Sequence, residues 1–203
     1  PHMNGIGGDG FWLIHEPGRE VTSIDACGRA AGRATPEFYR GHRLDAIPMR
    51  GPLAANTVAG TVSGWALALD LSSKQWAGRM PLTRLLEDAT HYAERGMVVT
   101  RSQFTNTADK RAELENVPGF HARFLIDGQA PAAGSLMKQP ALAATMRQLA
   151  KYGLADFYEG ELARSIGGDL AALGSPLVLA DLESHAAELR APVVLKHRAG
   201  TLY

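Results

Sequence analysis

The segment NGIGGDGFWLI, residues 4–14, constrains this chain more than any other. Gly5, Gly7 and Gly10 satisfy the dinucleotide-binding spacing G-x-G-x-x-G, and Asp25 follows at about the distance of a ribose-binding carboxylate. That fingerprint works only where a strand feeds the glycines and a helix leaves them, so that the helix N-terminus meets the pyrophosphate. Here only four residues precede Gly5, and a strand signal, FWLIH, follows Gly10. The nucleotide reading fails on this context. Glycines just before a strand instead let the backbone take φ > 0 and approach another backbone or a ligand closely. The loop reads as a tight entry into a sheet.

Around that entry the pattern is mixed helix and strand. GFWLIHE and EVTSIDA, joined by the Pro-Gly turn EPGRE, predict a hairpin over residues 10–26. Both strands are apolar on more than one face, as in a sheet covered on both sides. ATPEFYRG predicts a short helix with Thr35 as N-cap, Pro36 in the first turn and Gly41 at the end. Residues 41–60 carry no lasting period and read as an ordered loop. Helical stripes then follow at Val62–Leu69, Leu82–Ala93, Leu142–Leu149 and Tyr158–Leu173. FLIDGQAPAAGS reads as a short extended piece running into a turn. LADLESHAAEL predicts a further short helix, and PVVLKHRAGTLY closes the chain as one or two strands. No repeat or domain boundary is visible, so residues 1–203 are read as a single domain.

Composition removes several classes of function. Lys plus Arg and Asp plus Glu both number 21, which leaves no basic footprint for nucleic acid or a membrane surface. No apolar run approaches the roughly 20 residues of a membrane span. Cys27 is the single cysteine, so neither an intramolecular disulfide nor a thiolate zinc cluster is expected, and its apolar neighbours suggest a small buried role. The seven histidines are scattered, with no pair at i, i+4 on one helix, and no metal or other cofactor is expected.

The string PHMNGIGGDGFWLI resembles the segment around an early core strand of the gamma-glutamyltranspeptidase family, with its Pro-x-x-x-Gly-(Ile/Leu)-Gly-Gly-x-x-Phe pattern. AATPEFYRG, IPMRGPLAANTVAGTVSGWALAL, MPLTRLLEDATHYAERGMVVT and GSLMKQPALAATMRQLAKYGLADFYEGELARSI are similar, in order, to successive large-subunit segments of that family. GSPLVLADLESHAAELRAPV followed by GTLY resembles the stretch leading to its Tyr-Arg-Gly-Tyr strand. The resemblance implies an α+β chain, part of a four-layer αββα N-terminal-nucleophile hydrolase fold with a helical region in the middle. It implies a precursor that cuts itself into a large and a small subunit. The new N-terminal Thr of the small subunit then attacks a γ-glutamyl amide of the glutathione type, with its own α-amine as base.

Two departures from the family pattern shape the functional expectation. This chain resembles an interior part of the large subunit, and none of its eleven threonines stands in the Thr-Thr-His context of the nucleophile. No catalytic residue is therefore expected in this chain, and a Thr-bearing small subunit from the same precursor is the expected partner. Localisation stays open between periplasm and cytoplasm. The second departure is at IDACGRA: Cys27 stands where the family's substrate-gripping Arg is due, and a thiol offers no positive fork for a carboxylate. Arg29, two residues on, is the candidate substrate-binding residue. Its alternatives are pairing with a carboxylate or capping a helix C-terminus. The missing Arg also raises a glutaryl or cephalosporin-type acylase, or a non-catalytic scaffold, as alternative functions.

Overall fold

The computed structural model describes residues 5–203; PHMN, the start of the family-like motif, lies outside the described residues. The hairpin forms as read. Strands β1 (Gly10–Ile14) and β2 (Thr22–Ala26) pair antiparallel, with Trp12 opposite Ile24 and Phe11 opposite Asp25. A third strand, β5 (Glu188–Arg190), joins the other side of β2, with Glu188 opposite Asp25 and Arg190 opposite Ser23. Because side chains alternate and opposed pairs share a face, Trp12, Ile24 and Ala26 point one way. Phe11, Leu13, Asp25, Glu188 and Arg190 point the other. Within the described residues only the first face is covered: Phe11 and Leu13 remain 68% and 58% exposed.

The covering element is α2 (Thr61–Trp76), which packs on β1 and β2. It begins after Gly60 and has no side-chain cap of its own. Distant groups supply the missing partners. The Gly8 carbonyl accepts from the Thr61 amide at 2.9 Å and from the Thr61 hydroxyl at 2.8 Å. The Tyr158 hydroxyl accepts from the Ser63 amide at 2.9 Å and donates to the Ala59 carbonyl at 2.7 Å. Burial pushes the Tyr158 phenol up to about 12, so it keeps the proton this second bond requires. At Gly60 an added Cβ would run into the Ala26 carbonyl, so a glycine is what lets helix and sheet meet here.

The remaining helices close the core. α1 (Pro36–Gly41) is capped by Thr35, whose Oγ1 accepts from the Phe38 amide at 3.2 Å. The second stripe is broken into α3 (Leu82–Leu85) and α4 (Glu87–Arg95), and the third forms α8 (Pro140–Tyr152). The fourth divides at Gly160 into α9 (Asp156–Glu159) and α10 (Glu161–Ala172), because the Asp156 carboxylate turns back to accept from the Glu161 amide. Val62, Met146, Leu149, Phe157 and Leu182 are among the buried residues that join α2, α8 and α9 to α11 (Leu179–Glu183).

Several expectations are corrected. The helix read over LADLESHAAEL stops at Glu183, since Glu188–Arg190 are drawn into the ladder of β2. Residues 101–124, which showed no stripe, form α5 (Arg101–Asp109), α6 (Arg111–Leu114) and α7 (Phe120–Phe124). The short pair β3 (Met97–Val98) and β4 (Leu136–Met137) flanks them. The terminal strands form as expected, paired as a hairpin of β6 (Leu195–His197) with β7 (Gly200–Leu202). None of Gly7, Gly8 and Gly10 takes positive φ. The loop uses close approach alone, through the bonds from Thr61 to Gly8.

Removing the remote cap tests this arrangement. Tyr158→Phe leaves a half-buried amide and carbonyl without their partner and should cost about 1–3 kcal/mol in urea unfolding. Gly60→Ala forces a backbone shift and should cost about 3 kcal/mol, at the upper end of overpacking changes.

Candidate active-site cavity

The chain leaves β2 at Ala26 and passes through Cys27, Gly28 and Arg29 along the rim of the open sheet face. A cavity of about 260 Å³ lies there, walled by Asp25, Cys27, Gly28, Arg29, Glu188 and Arg190. The register of β2 with β5 explains why these groups meet, since Asp25 and Glu188 stand opposite each other on one face. The glycine loop adds Asp9, whose Oδ1 accepts from the Gly28 amide at 2.7 Å.

The charged groups form a continuous chain. Arg29 Nη2 donates to Glu188 Oε1 at 2.7 Å, and Arg190 Nη2 donates to Glu188 Oε2 at 3.2 Å. Arg190 Nη1 lies 3.0 Å from Asp25 Oδ2, while Asp25 Oδ1 accepts from the Cys27 amide at 2.9 Å. Hydrogen bonds from Arg190 and then Arg29 hold the Glu188 carboxyl below the usual carboxylate range.

Cys27 is exposed, not the small buried residue expected from its neighbours. Its Sγ lies 3.7 Å from Asp9 Oδ2. Desolvation first, and then the Asp9 charge, push the thiol up, so it stays protonated at neutral pH and is a poor nucleophile. Cys27 and Arg29 line the same cavity. Arg29 also has the carboxylate partner that was its alternative reading, in Glu188, and it keeps a largely exposed guanidinium.

Sequence reasoning missed Asp9, Glu188, Arg190 and His185. Glu188 and Arg190 are nearly the whole chain away from Asp25, and only strand pairing brings them together. His185 precedes β5, is 7% exposed, and neither ring nitrogen has a hydrogen-bond partner among the described residues. Its ring packs against Tyr158, with centroids 5.5 Å apart. Burial, and then the nearby Arg29 charge, hold His185 below the ordinary histidine value of 6.5, while Asp9 and Glu188 oppose this. Among the described residues no group of three or more His, Cys, Asp or Glu gathers as a metal site, and no helix is long and apolar enough to cross a membrane.

The sequence profile of the family described as Gamma-glutamyltranspeptidase matches residues 1–203. The chain belongs to that family. It is 51% identical over 203 residues to the oxamate amidohydrolase proenzyme of Klebsiella pneumoniae, covering 100% of this chain and 38% of that protein. It is 35% identical over 204 residues to the glutathione hydrolase-like YwrD proenzyme of Bacillus subtilis, again 100% of this chain and 38% of the relative. The chain thus spans little more than a third of these curated relatives. The solved gamma-glutamyltranspeptidase of Pseudomonas nitroreducens complexed with L-DON superimposes with a TM-score of 0.85 at 29% identity, over 100% of this chain and 58% of that one. This gamma-glutamyltranspeptidase-family chain therefore forms part of the N-terminal-nucleophile hydrolase fold, with mixed helix and sheet.

The buried histidine gives a pH signature. A histidine whose pKa is lowered on folding favours the neutral form, so the unfolded chain takes up protons first as pH falls. Stability from this group is complete above 6.5 and is lost as pH drops through the lower, folded value. The thermal midpoint should fall from pH 7 toward pH 5, and His185→Phe should flatten that decline while leaving the carboxylate-driven loss below pH 4.5 in place.

Proposed function

We propose that this chain is the large-subunit portion of an amidohydrolase that cleaves a small, carboxylate-bearing amide of the oxamate class. In this reading the nucleophile is the N-terminal Thr of a small subunit released from the same precursor. Its Oγ1 attacks the amide carbonyl while its α-amine takes the hydroxyl proton and passes it to the leaving nitrogen; ammonia departs from the tetrahedral intermediate, leaving an acyl-enzyme that water then hydrolyses. Arg29 holds the substrate carboxylate through a charge-assisted pair.

One observation carries the choice of substrate. Cys27 stands where the resemblance places a gripping Arg, and of the two arginines lining the same cavity of about 260 Å³, Arg190 is bound to both Asp25 and Glu188 while Arg29 is held by Glu188 alone. That volume is at the small end of ligand sites and suits a short acyl group. Half of the chain's residues are identical to those of a relative named for oxamate, which supports the same assignment. A second reading, γ-glutamyl amide hydrolysis or transfer, is favoured by Asp9 and Asp25, whose negative charge beside the cavity would attract an α-ammonium group.

The complete proenzyme tests both. It should split into two bands on maturation and release ammonia from oxamate faster than it cleaves γ-glutamyl or glutaryl anilides. A preference for γ-glutamyl anilide selects the second reading, and glutaryl preference selects an acylase. An uncut, inactive product supports the scaffold alternative. Arg29→Ala should lower kcat/KM on oxamate by about tenfold to a hundredfold, the span of a lost charged hydrogen bond.

A further inference from the structure

Arg29 is a long side chain at an exposed rim, and such a side chain holds a ligand well only if its rotamers are restricted beforehand. In this chain the restriction comes from β5. Glu188 uses both carboxylate oxygens, one on Arg29 at 2.7 Å and one on Arg190 at 3.2 Å. Arg190 is in turn fixed by Asp25 at 3.0 Å, and Ser23 Oγ donates to the Arg190 carbonyl at 2.8 Å. The Arg29 guanidinium is thus tied to the sheet through Glu188, and Arg29 lines the cavity.

Building on the amidohydrolase reading, we infer that Glu188 is the positioning residue that aims Arg29 at the substrate carboxylate, with Arg190 and Asp25 as its anchor. Glu188 does not touch the reacting amide. It trades some of the positive charge of Arg29 for a fixed direction, so the cavity selects an acyl group by where its carboxylate lies. An acyl group whose carboxylate is placed differently from the scissile amide would find Arg29 held away from it. The exposed ion pair itself contributes little to stability, which separates this role from a structural one.

A double-mutant cycle on the matured enzyme decides the matter. Glu188→Gln keeps the shape but gives up the charge that grips both arginines. It should raise KM for oxamate about tenfold with kcat within about twofold of wild type. In an Arg29→Ala background the same change should have no further effect, because there is nothing left to aim. Glu188→Asp, which retains the charge on a shorter arm, should fall between, and it serves in place of Glu188→Gln if that proenzyme fails to mature. Unchanged KM in the single variants, or equal effects with and without Arg29, overturns the inference. If the wild type leaves oxamate intact, the substrate assignment fails instead. The cycle is then read on γ-glutamyl or glutaryl anilide, each of which also carries a free carboxylate.

Discussion

Helix α2 begins at a glycine with nothing to cap it, and the rest of the structure is arranged around supplying what it lacks. The first amides of any helix have no partner within it, and buried ones must find partners elsewhere. Here the Gly8 carbonyl takes the Thr61 amide and the Tyr158 hydroxyl takes the Ser63 amide. The Ser63 hydroxyl accepts from the Ala187 amide at 2.7 Å, just before β5. One helix end thereby fixes the glycine loop, the α9 turn and the lead into the third strand. The close approach of Gly60 to the Ala26 carbonyl fixes the end of β2 as well.

The cavity is a consequence of that junction. Its walls come from the end and exit of β2 (Asp25 to Arg29) and the strand tied to Ser63 (Glu188 and Arg190), with Asp9 of the glycine loop bonded to the Gly28 amide. A dinucleotide loop would present helix amides to a phosphate. In this chain those amides are occupied by protein acceptors. The glycine motif serves the same helix end by closing it.

The sequence made the local features legible and hid the long-range ones. The hairpin was readable because Pro17 and Gly18 punctuate two apolar runs, and α1 because Thr35-Pro36 is a complete start signal. The stripes marked α2, α8 and the helices around Gly160 because each buries one face. Helices α5 to α7 were missed because they are short and polar, although Thr100 and Gln103 have the spacing of a capping box, and Thr100 Oγ1 does accept from the Gln103 amide. Glu188 and Leu189 of β5 fall within the stretch expected as helix because they carry no pattern of their own; the open side of β2 gives them their conformation. Cys27 and Arg29 were visible as a departure from the family pattern. Glu188, Arg190 and Asp9 were not, since charged residues on short segments look like ordinary surface until strand pairing brings them together.

The account rests on Arg29 being the group that receives the substrate carboxylate, in a cavity built from the α2 junction. A crystal structure of the large and small subunits produced as separate chains, the small subunit's N-terminal Thr replaced by Ala and oxamate bound, tests this most directly. The account predicts the Arg29 guanidinium within about 3 Å of the oxamate carboxylate, with Glu188 still on its other side. Oxamate bound by other residues, with Arg29 engaged only by Glu188, would contradict it.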